Sequence, residues 1–78
     1  MNIIFLGRLS DAAGARERGV NAPPGITDVE ALRGWLGEQV PALLDPNVRV
    51  IVNDVLATRG QAVAPDDEVA FFPPVSGG

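Results

Sequence analysis

The sequence contains no cysteine, no histidine and no lysine. Without cysteine the chain has no disulfide, no thiolate metal site and no thiol nucleophile, and without histidine it lacks the commonest general base and metal ligand. Because all six basic residues are arginines, no side-chain amine of the protein can attack an activated carboxyl group. We therefore expect no metal site and a protein that is not itself an enzyme.

The composition is that of one small acidic domain. Its 78 residues, 46% of them hydrophobic, suffice for a single limited core, since a chain of about 60–80 residues buries only some 60% of its unfolded surface. A net charge of −4 without a basic face argues against nucleic-acid binding. No apolar run reaches the roughly 18 residues of a membrane span, and the start, MNIIFLGRLSD, has no signal-peptide pattern. We expect a cytoplasmic protein with no nucleic-acid and no membrane partner.

Hydrophobic patterning predicts several strands and one main helix. Segments rich in β-branched and aromatic residues predict strands at 2–9, 18–21, 48–53, 55–56 and 68–72. A single helical turn capped by Ser10 and closed by Gly14 is expected after the first strand. Thr27 and Glu30 fit a capping box, and the helix that follows, about three to four turns long, ends at Pro41. Its apolar residues recur at helical spacing: Val29, Leu32, Trp35, Leu36 and Val40.

A single helix covers only one face of a sheet, so the pattern predicts a two-layer α+β fold. Alternation along the strands places one set of residues under the helix: Ile3, Phe5, Val50, Val52, Val69 and Phe71. A second set, which we call the outward face, points the other way: Ile4, Leu6, Ile51, Leu56, Ala70 and Phe72. If the strands are neighbours and no loop covers this set, it forms an exposed apolar patch of the kind that marks a partner surface.

The C-terminal residues have a chemistry of their own. The last predicted strand cannot continue through Pro73 and Pro74, because proline lacks the ladder N–H and its fixed φ favours an extended path. Small residues follow: Val75, Ser76, Gly77 and Gly78. Glycine has no Cβ, so it fits a narrow tunnel and presents an unhindered carboxyl carbon. We predict a flexible Gly-Gly tail at 74–78 that carries a reactive group on the Gly78 carboxylate.

These segments resemble the ubiquitin-like sulfur carriers of the β-grasp fold, and most closely the small subunit of molybdopterin synthase. The resemblance covers nearly the whole chain through IIFLGRLSDAAG, TDVEALRGWL, VIVND and DDEVAFFPPVSGG. The stretch FFPPV before the two glycines is its most specific part, since carriers for thiamine synthesis share the Gly-Gly end but usually lack this block. Ser10 stands where the family often has an arginine, and Arg8 lies close by in the sequence.

The resemblance implies a β-grasp domain at 1–73, in which a mixed sheet of four to five strands packs on one main helix. It implies that a ubiquitin-activating-like adenylyltransferase uses ATP to adenylate Gly78, and that a sulfur donor system converts the adenylate to a thiocarboxylate. No cofactor is bound permanently. Residues of the family that contact partners match these positions: Leu6, Leu56, Phe72, Pro73 and Pro74.

In the same scheme the tail enters the active site of the molybdopterin synthase large subunit, which holds the catalytic side chains. The residues inserted there are Val75, Ser76, Gly77 and Gly78. Gly78 then delivers sulfur to cyclic pyranopterin monophosphate, within a heterotetramer of two small and two large subunits.

Other functions fit the same tail. A sulfur carrier for thiamine, cysteine or transfer-RNA thiolation shares the fold and the Gly-Gly end. A ubiquitin-like modifier would be attached through Gly78 to lysines of target proteins, although the absence of lysine here excludes chain-building on its own side chains. A plain interaction domain with an inert tail is the remaining alternative, because chain ends are often rich in glycine.

Overall fold

The computed structural model describes residues 1–74. Within them the chain forms five strands, two α-helices and one 3₁₀ helix. In chain order these are β1 (Asn2–Phe5), α1 (Arg8–Ala13), β2 (Glu17–Gly19), α2 (Val29–Gly37), the 3₁₀ helix (Pro41–Leu44), β3 (Arg49–Val52), β4 (Val55–Leu56) and β5 (Glu68–Phe72). All five predicted strands are present, and β4 and β5 have the predicted bounds.

The strands form one mixed sheet in the order β2-β1-β5-β3-β4. The first and last strands, β1 and β5, lie side by side and parallel, whereas every other neighbouring pair is antiparallel. Helix α2 packs on one face of this sheet. The predicted α+β class, with a mixed sheet of four to five strands on one main helix, is therefore confirmed, and the arrangement is that of the β-grasp fold.

The core lies between α2 and the sheet. All six residues predicted to point toward the helix are buried, and the Phe5 and Phe71 rings stack with their centroids 6.4 Å apart. The predicted stripe of α2 is buried as well, and Trp35 packs against the core at its edge. The 3₁₀ helix was not predicted, yet it places Leu43 in the core with no exposed surface.

The N-terminus of α2 differs from the prediction. The residue that caps it is Asp28 rather than Thr27: the Ala31 backbone N–H donates to Asp28 Oδ1 at 2.8 Å. Thr27 precedes the cap, and its carbonyl accepts a hydrogen bond from the Val63 N–H at 3.0 Å. That pairing holds the chain extended up to Asp28, so the helix starts one residue later than a cap at Thr27 requires.

Helix α2 is also shorter than expected, since its nine residues make about two and a half turns. It ends at Gly37, which is buried against the Leu44 side chain so closely that a Cβ would have no room. The chain then turns into the 3₁₀ helix, with proline in its first turn. Pro41 therefore begins a new element instead of only ending the long helix.

The segment after β1 corrects two further predictions. Strand β1 ends at Phe5 rather than at residue 9, because Gly7 takes a positive φ of 54° and turns the chain into α1. Gly7 occupies the N-cap position, so Ser10 is not the cap but lies inside the helix, where its hydroxyl donates to the Gly7 carbonyl at 2.8 Å. Gly14 closes the helix in the left-handed conformation, as predicted.

A hydrogen-bonded corner joins the β3–β4 turn to the start of β5. Asn53 and Asp54 both have positive φ, as the tight turns of hairpins require. The Asn53 side chain donates to Asp67 Oδ1 at 2.9 Å and accepts from the Glu68 N–H at 3.0 Å. Asp67 Oδ2 also accepts from the Ala64 N–H at 2.8 Å. The bond from Asn53, followed by that from Ala64, holds the pKa of Asp67 below its usual value.

This corner predicts a specific loss of stability in acid. A carboxylate whose pKa is lowered by folding stabilises the protein above its unfolded pKa, and that stability is lost as pH falls through the folded pKa. The melting temperature of the protein should therefore decline as the pH is lowered from about 5 toward 2. Replacing Asn53 by alanine removes the largest cause of the shift, so the decline should become shallower; thermal unfolding followed by circular dichroism at stepped pH measures it.

The matched control is Asp66→Asn, which removes a neighbouring exposed carboxylate and leaves the contacts of Asp67 in place. It should keep the wild-type change of melting temperature between pH 5 and pH 3 that Asn53→Ala reduces. Equal slopes for the wild type and Asn53→Ala would show that this corner does not contribute to acid sensitivity.

Candidate docking face and tail exit

The outward face is present on the uncovered side of the sheet. Strand pairing sets Ile4 beside Ala70, Ala70 beside Ile51, and Ile51 beside Leu56. Residues opposite each other in the two antiparallel pairs have Cβ atoms about 4.5–5.5 Å apart, and Ile4 is the parallel neighbour of Ala70. The four side chains therefore form a continuous apolar row across four strands. None belongs to the core, and Leu56 is 54% exposed. Ile4, Ile51 and Ala70 are half-buried rather than buried, so no loop within residues 1–74 covers this patch completely.

A second apolar row lies nearer to the C-terminal end of β5. The Leu6 N–H donates to the Phe71 carbonyl at 2.9 Å, which brings Leu6 alongside Phe72. Leu6 is 40% exposed and Phe72 is half-buried. Phe72 also lies, with Leu56, in the wall of one shallow cavity. The structure thus brings Leu6, Leu56 and Phe72 onto a single face, and their contact with a partner stays a prediction.

The chain leaves the sheet at the edge of this face. Strand β5 ends at Phe72 as predicted, and the two prolines that follow are half-buried outside the strand. Pro73 packs beside Gly7, where an added Cβ would lie 3.1 Å from Pro73 Cγ. Pro74 lines two cavities, one beside Phe72 and one beside Leu9. Both prolines predicted for the interface therefore lie where the chain leaves the domain, which we call the tail exit.

The residues predicted to enter a partner's active site lie outside the described residues. They are Val75, Ser76, Gly77 and Gly78. Their roles stay predictions, as does the division of the chain into a domain at 1–73 and a flexible tail at 74–78.

Charge is unevenly distributed along the strands, a feature that sequence reasoning missed. Arg49 lies opposite Phe72, and Arg8 lines a cavity with Pro74, so two arginines flank the tail exit. Four carboxylates lie at the other end of the sheet, around the β3–β4 turn and the start of β5: Asp54, Asp66, Asp67 and Glu68. Arg49 is exposed and precedes buried Val50 on β3, so it lies on the outward side, but only the strand order shows what lies next to it. Ser10 lines a cavity with Arg16 and not with Arg8.

A small β-grasp domain with an uncovered apolar sheet face beside its tail exit defines the ubiquitin-like class of proteins.

Among residues 1–74, no helix has the length and hydrophobicity needed to cross a membrane.

Known proteins agree with this class. A model of the ThiS family matches residues 3–78. The chain is 33% identical to the molybdopterin synthase sulfur carrier subunit of Escherichia coli, with 100% of this chain and 99% of that protein covered. It is 36% identical to small archaeal modifier protein 1 of Haloferax volcanii, with 90% and 91% covered. A crystal structure of that archaeal protein superposes with a TM-score of 0.79 at 32% identity, covering 100% of this chain and 98% of the other.

The chain belongs to the ThiS family and is a ubiquitin-like sulfur carrier related to the molybdopterin synthase small subunit. Relatives named as sulfur carrier subunits are carriers rather than catalytic proteins, which agrees with the expectation that this chain is not itself an enzyme.

Proposed function

We propose that this protein carries sulfur as a thiocarboxylate on Gly78 and donates it as the small subunit of molybdopterin synthase. The observation that carries the proposal is the continuity of the outward face with the tail exit. Leu6 and Phe72 lie at the end of the sheet where Pro73 leaves it. A partner that covers the face therefore receives the tail directly. Covalent geometry allows the last four residues to reach at most about 14 Å beyond Pro74.

The chemistry needs two activation steps, both supplied by partners. The Gly78 carboxylate attacks the α-phosphorus of ATP on an adenylyltransferase and releases pyrophosphate. A persulfide of the sulfur donor system then displaces AMP and forms an acyl disulfide, and a second thiol of that system attacks its S–S bond, so that a disulfide forms on the donor and the thiocarboxylate is released. ATP is thus consumed by the partner, and the carrier holds no permanent cofactor. Because the chain contains no lysine, cysteine or histidine, none of these side chains can divert the activated carboxyl group.

In the proposed reaction the large subunit of molybdopterin synthase binds the outward face and receives the tail. The thiocarboxylate sulfur forms a C–S bond with a side-chain carbon of cyclic pyranopterin monophosphate as a C–O bond at that carbon breaks and its oxygen departs. Water then hydrolyses the resulting thioester, which leaves the sulfur on the substrate as a thiolate and returns the Gly78 carboxylate for another cycle. Pairing two carriers with two large subunits makes a heterotetramer. We place this cycle in the cytoplasm.

A second candidate is a protein modifier, favoured by the 36% identity to small archaeal modifier protein 1. The same activated Gly78 would then be attacked by a lysine amine of a target protein. The two functions differ only in the fate of the activated carboxyl group, so a measurement on Gly78 separates them.

The test is mass spectrometry of the chain purified from its native cell and after incubation with the adenylyltransferase, ATP and a sulfur donor. Trypsin cleaves after Arg59 and releases residues 60–78, which contain no methionine. An exchange of oxygen for sulfur on this peptide therefore cannot be mistaken for oxidation of Met1. A modifier would instead leave residues 60–78 attached to target lysines. If only the free carboxylate were found under all conditions, the carrier proposal would fail.

The outward face yields a prediction about docking. Replacing Leu56 by arginine places a charge in the apolar row, so we expect binding to the large subunit to weaken about tenfold or more. Val55→Arg is the matched control, because Val55 is equally exposed on the same strand but pairs with buried Val52 and belongs to the other side of the sheet. Isothermal titration calorimetry measures both.

The free energy of unfolding of both variants should lie within about 0.5 kcal/mol of the wild-type value, since both substitutions replace exposed side chains. Equal loss of binding for Leu56→Arg and Val55→Arg, or no loss for either, would show that the outward face is not the docking surface.

A further inference from the structure

Three of the six arginines line one cleft beside the sheet. The cleft lies between α2 and the β3–β4 side of the sheet and has a volume of about 350 Å³. Its walls include Arg33 on α2, Arg49 on β3 and Arg59 after β4. Among the described residues that line it, Glu30 is the one acid. An acidic protein with a net charge of −4 thus has a cleft in which positive charge exceeds negative charge.

Two of these arginines are already engaged. The Arg33 guanidinium donates from Nη1 to the Asp45 and Val48 carbonyls, both at 3.2 Å. Glu30 lies 3.7 Å from Arg33 and 3.6 Å from Arg59, so a single carboxylate is shared between two cations. Arg49 takes part in neither ion pair found within residues 1–74 and is exposed. Its charge is therefore available to a ligand.

Arg49 also connects this cleft to the tail exit. A second cavity, of about 460 Å³, is lined by Asn47, Arg49, Leu56, Phe72 and Pro74. Asn47 and Arg49 line both cavities. We call the two cavities together the arginine groove, because Arg49 belongs to the wall of both; the residues that line it extend from Pro74 past Arg49 to Arg59. It begins on the outward face and ends beside α2.

We infer that the arginine groove binds an acidic segment, bearing aspartate and glutamate side chains, of the protein that docks on the outward face. Charge complementarity favours carboxylates, and Leu56 and Phe72 beside Arg49 give the apolar centre and charged rim of a protein interface. The inference rests on the proposed function for the identity of that partner, but not for the chemistry of the groove.

The groove itself is tested with a probe that does not depend on sulfur transfer. The ¹⁵N-labelled chain is titrated with a blocked pentapeptide of alternating glutamate and aspartate, and with the matching glutamine–asparagine peptide. We expect saturable amide shifts at Asn47, Arg49 and Arg59 with the acidic peptide alone. Arg49→Glu should weaken peptide binding about tenfold, and Arg49→Lys should retain most of it.

Arg16→Glu is the matched control, since it makes the same charge change at an exposed arginine that lines a different cavity. It should alter peptide affinity by less than about twofold. Shifts spread over all six arginines, or equal effects of Arg49→Glu and Arg16→Glu, would overturn the inference. So would ATP or a thymidine oligonucleotide that shifted the groove at lower concentration than the peptide.

A second measurement places the groove in the carrier reaction. In the adenylation assay, Arg49→Glu should raise the KM for the carrier about tenfold at about 50 mM salt with little change in kcat, and this difference should shrink at about 500 mM salt. If the wild type forms no thiocarboxylate, the proposed function fails while the peptide titration still decides the groove. If the wild type is loaded and Arg49→Glu leaves KM unchanged both in this assay and in sulfur transfer by the large subunit, the groove is not a docking site.

Discussion

Deletion of Gly78 is expected to abolish thiocarboxylate formation and sulfur transfer while docking on the partner persists. The deletion moves the terminal carboxyl group back by about 3.3–3.6 Å along an extended chain. Reacting atoms must lie about 3–3.5 Å apart, and a misplacement of 1 Å costs on the order of 100-fold in rate. We therefore expect a loss of at least about 100-fold, measured as the fraction of the C-terminal tryptic peptide, residues 60–77 in the variant and 60–78 in the wild type, that gains sulfur.

The control for this deletion is its binding to the large subunit. The outward face and tail exit are untouched, since Leu6, Leu56 and Phe72 lie within the described domain. Affinity for the large subunit should fall far less than sulfur transfer. A truncated chain that is loaded at the wild-type rate would show that the reactive group is not fixed to Gly78.

Replacement of Phe71 by alanine is expected to remove most of the free energy of unfolding, so that a large fraction of the molecules is unfolded. Phe71 has no exposed surface, lies on β5 between β1 and β3, and stacks on Phe5. Truncating such a residue costs about 3–5 kcal/mol because a cavity remains. Small domains stand toward the lower end of the usual 5–15 kcal/mol of stability. Urea denaturation followed by circular dichroism should show the loss directly.

The adjacent residue offers a matched comparison. Phe72 has the same side chain on the same strand but points to the outward face and is half-buried. Phe72→Ala should cost about 1 kcal/mol of unfolding free energy and should instead weaken partner docking. The assignment of Phe71 to the core and Phe72 to the outward face would be contradicted in two cases. One is a loss of less than about 1 kcal/mol of unfolding free energy for Phe71→Ala, and the other is a greater loss for Phe72→Ala than for Phe71→Ala.

The two sides of the sheet could be predicted from the sequence because side-chain direction in a strand has a period of two. Val50 and Val52 point to the core, whereas Ile51 between them points outward. No similar rule gives the order of strands. The parallel contact between β1 and β5 joins segments more than sixty residues apart. The β-grasp fold was therefore predicted from the family resemblance and not from local sequence patterns.

Element ends were harder to predict, for local reasons. Thr27 and Asp28 are both good capping residues, and the choice between them depends on the Val63 N–H, which lies far along the chain. The first strand read as continuous to Leu9, but the positive φ of Gly7 redirects it. Leu9 then enters the core from a helix instead of a strand.

The candidate site likewise contains residues that could be predicted from the sequence and residues that could not. Leu6, Leu56 and Phe72 could be assigned to one face by alternation, and the structure brings them together. The role of Arg49 could not be predicted from the sequence. Arg59 and Pro74, which line cavities with Arg49, come from later segments of the chain, and only the folded structure brings them near it. Charge surrounding a site depends on packing between elements, whereas the apolar face depends on a pattern within each strand.

The parallel pairing of β1 and β5 also determines how the domain resists mechanical force. A pull on the tail runs along β5, which is held between β1 and β3. Four residue pairs, from Asn2–Glu68 to Phe5–Phe71, join β5 to β1. Because the pull is directed along the strands, it shears the hydrogen bonds of these pairs together instead of opening them one at a time. The domain is therefore expected to stay folded under such a pull until the four pairs break together.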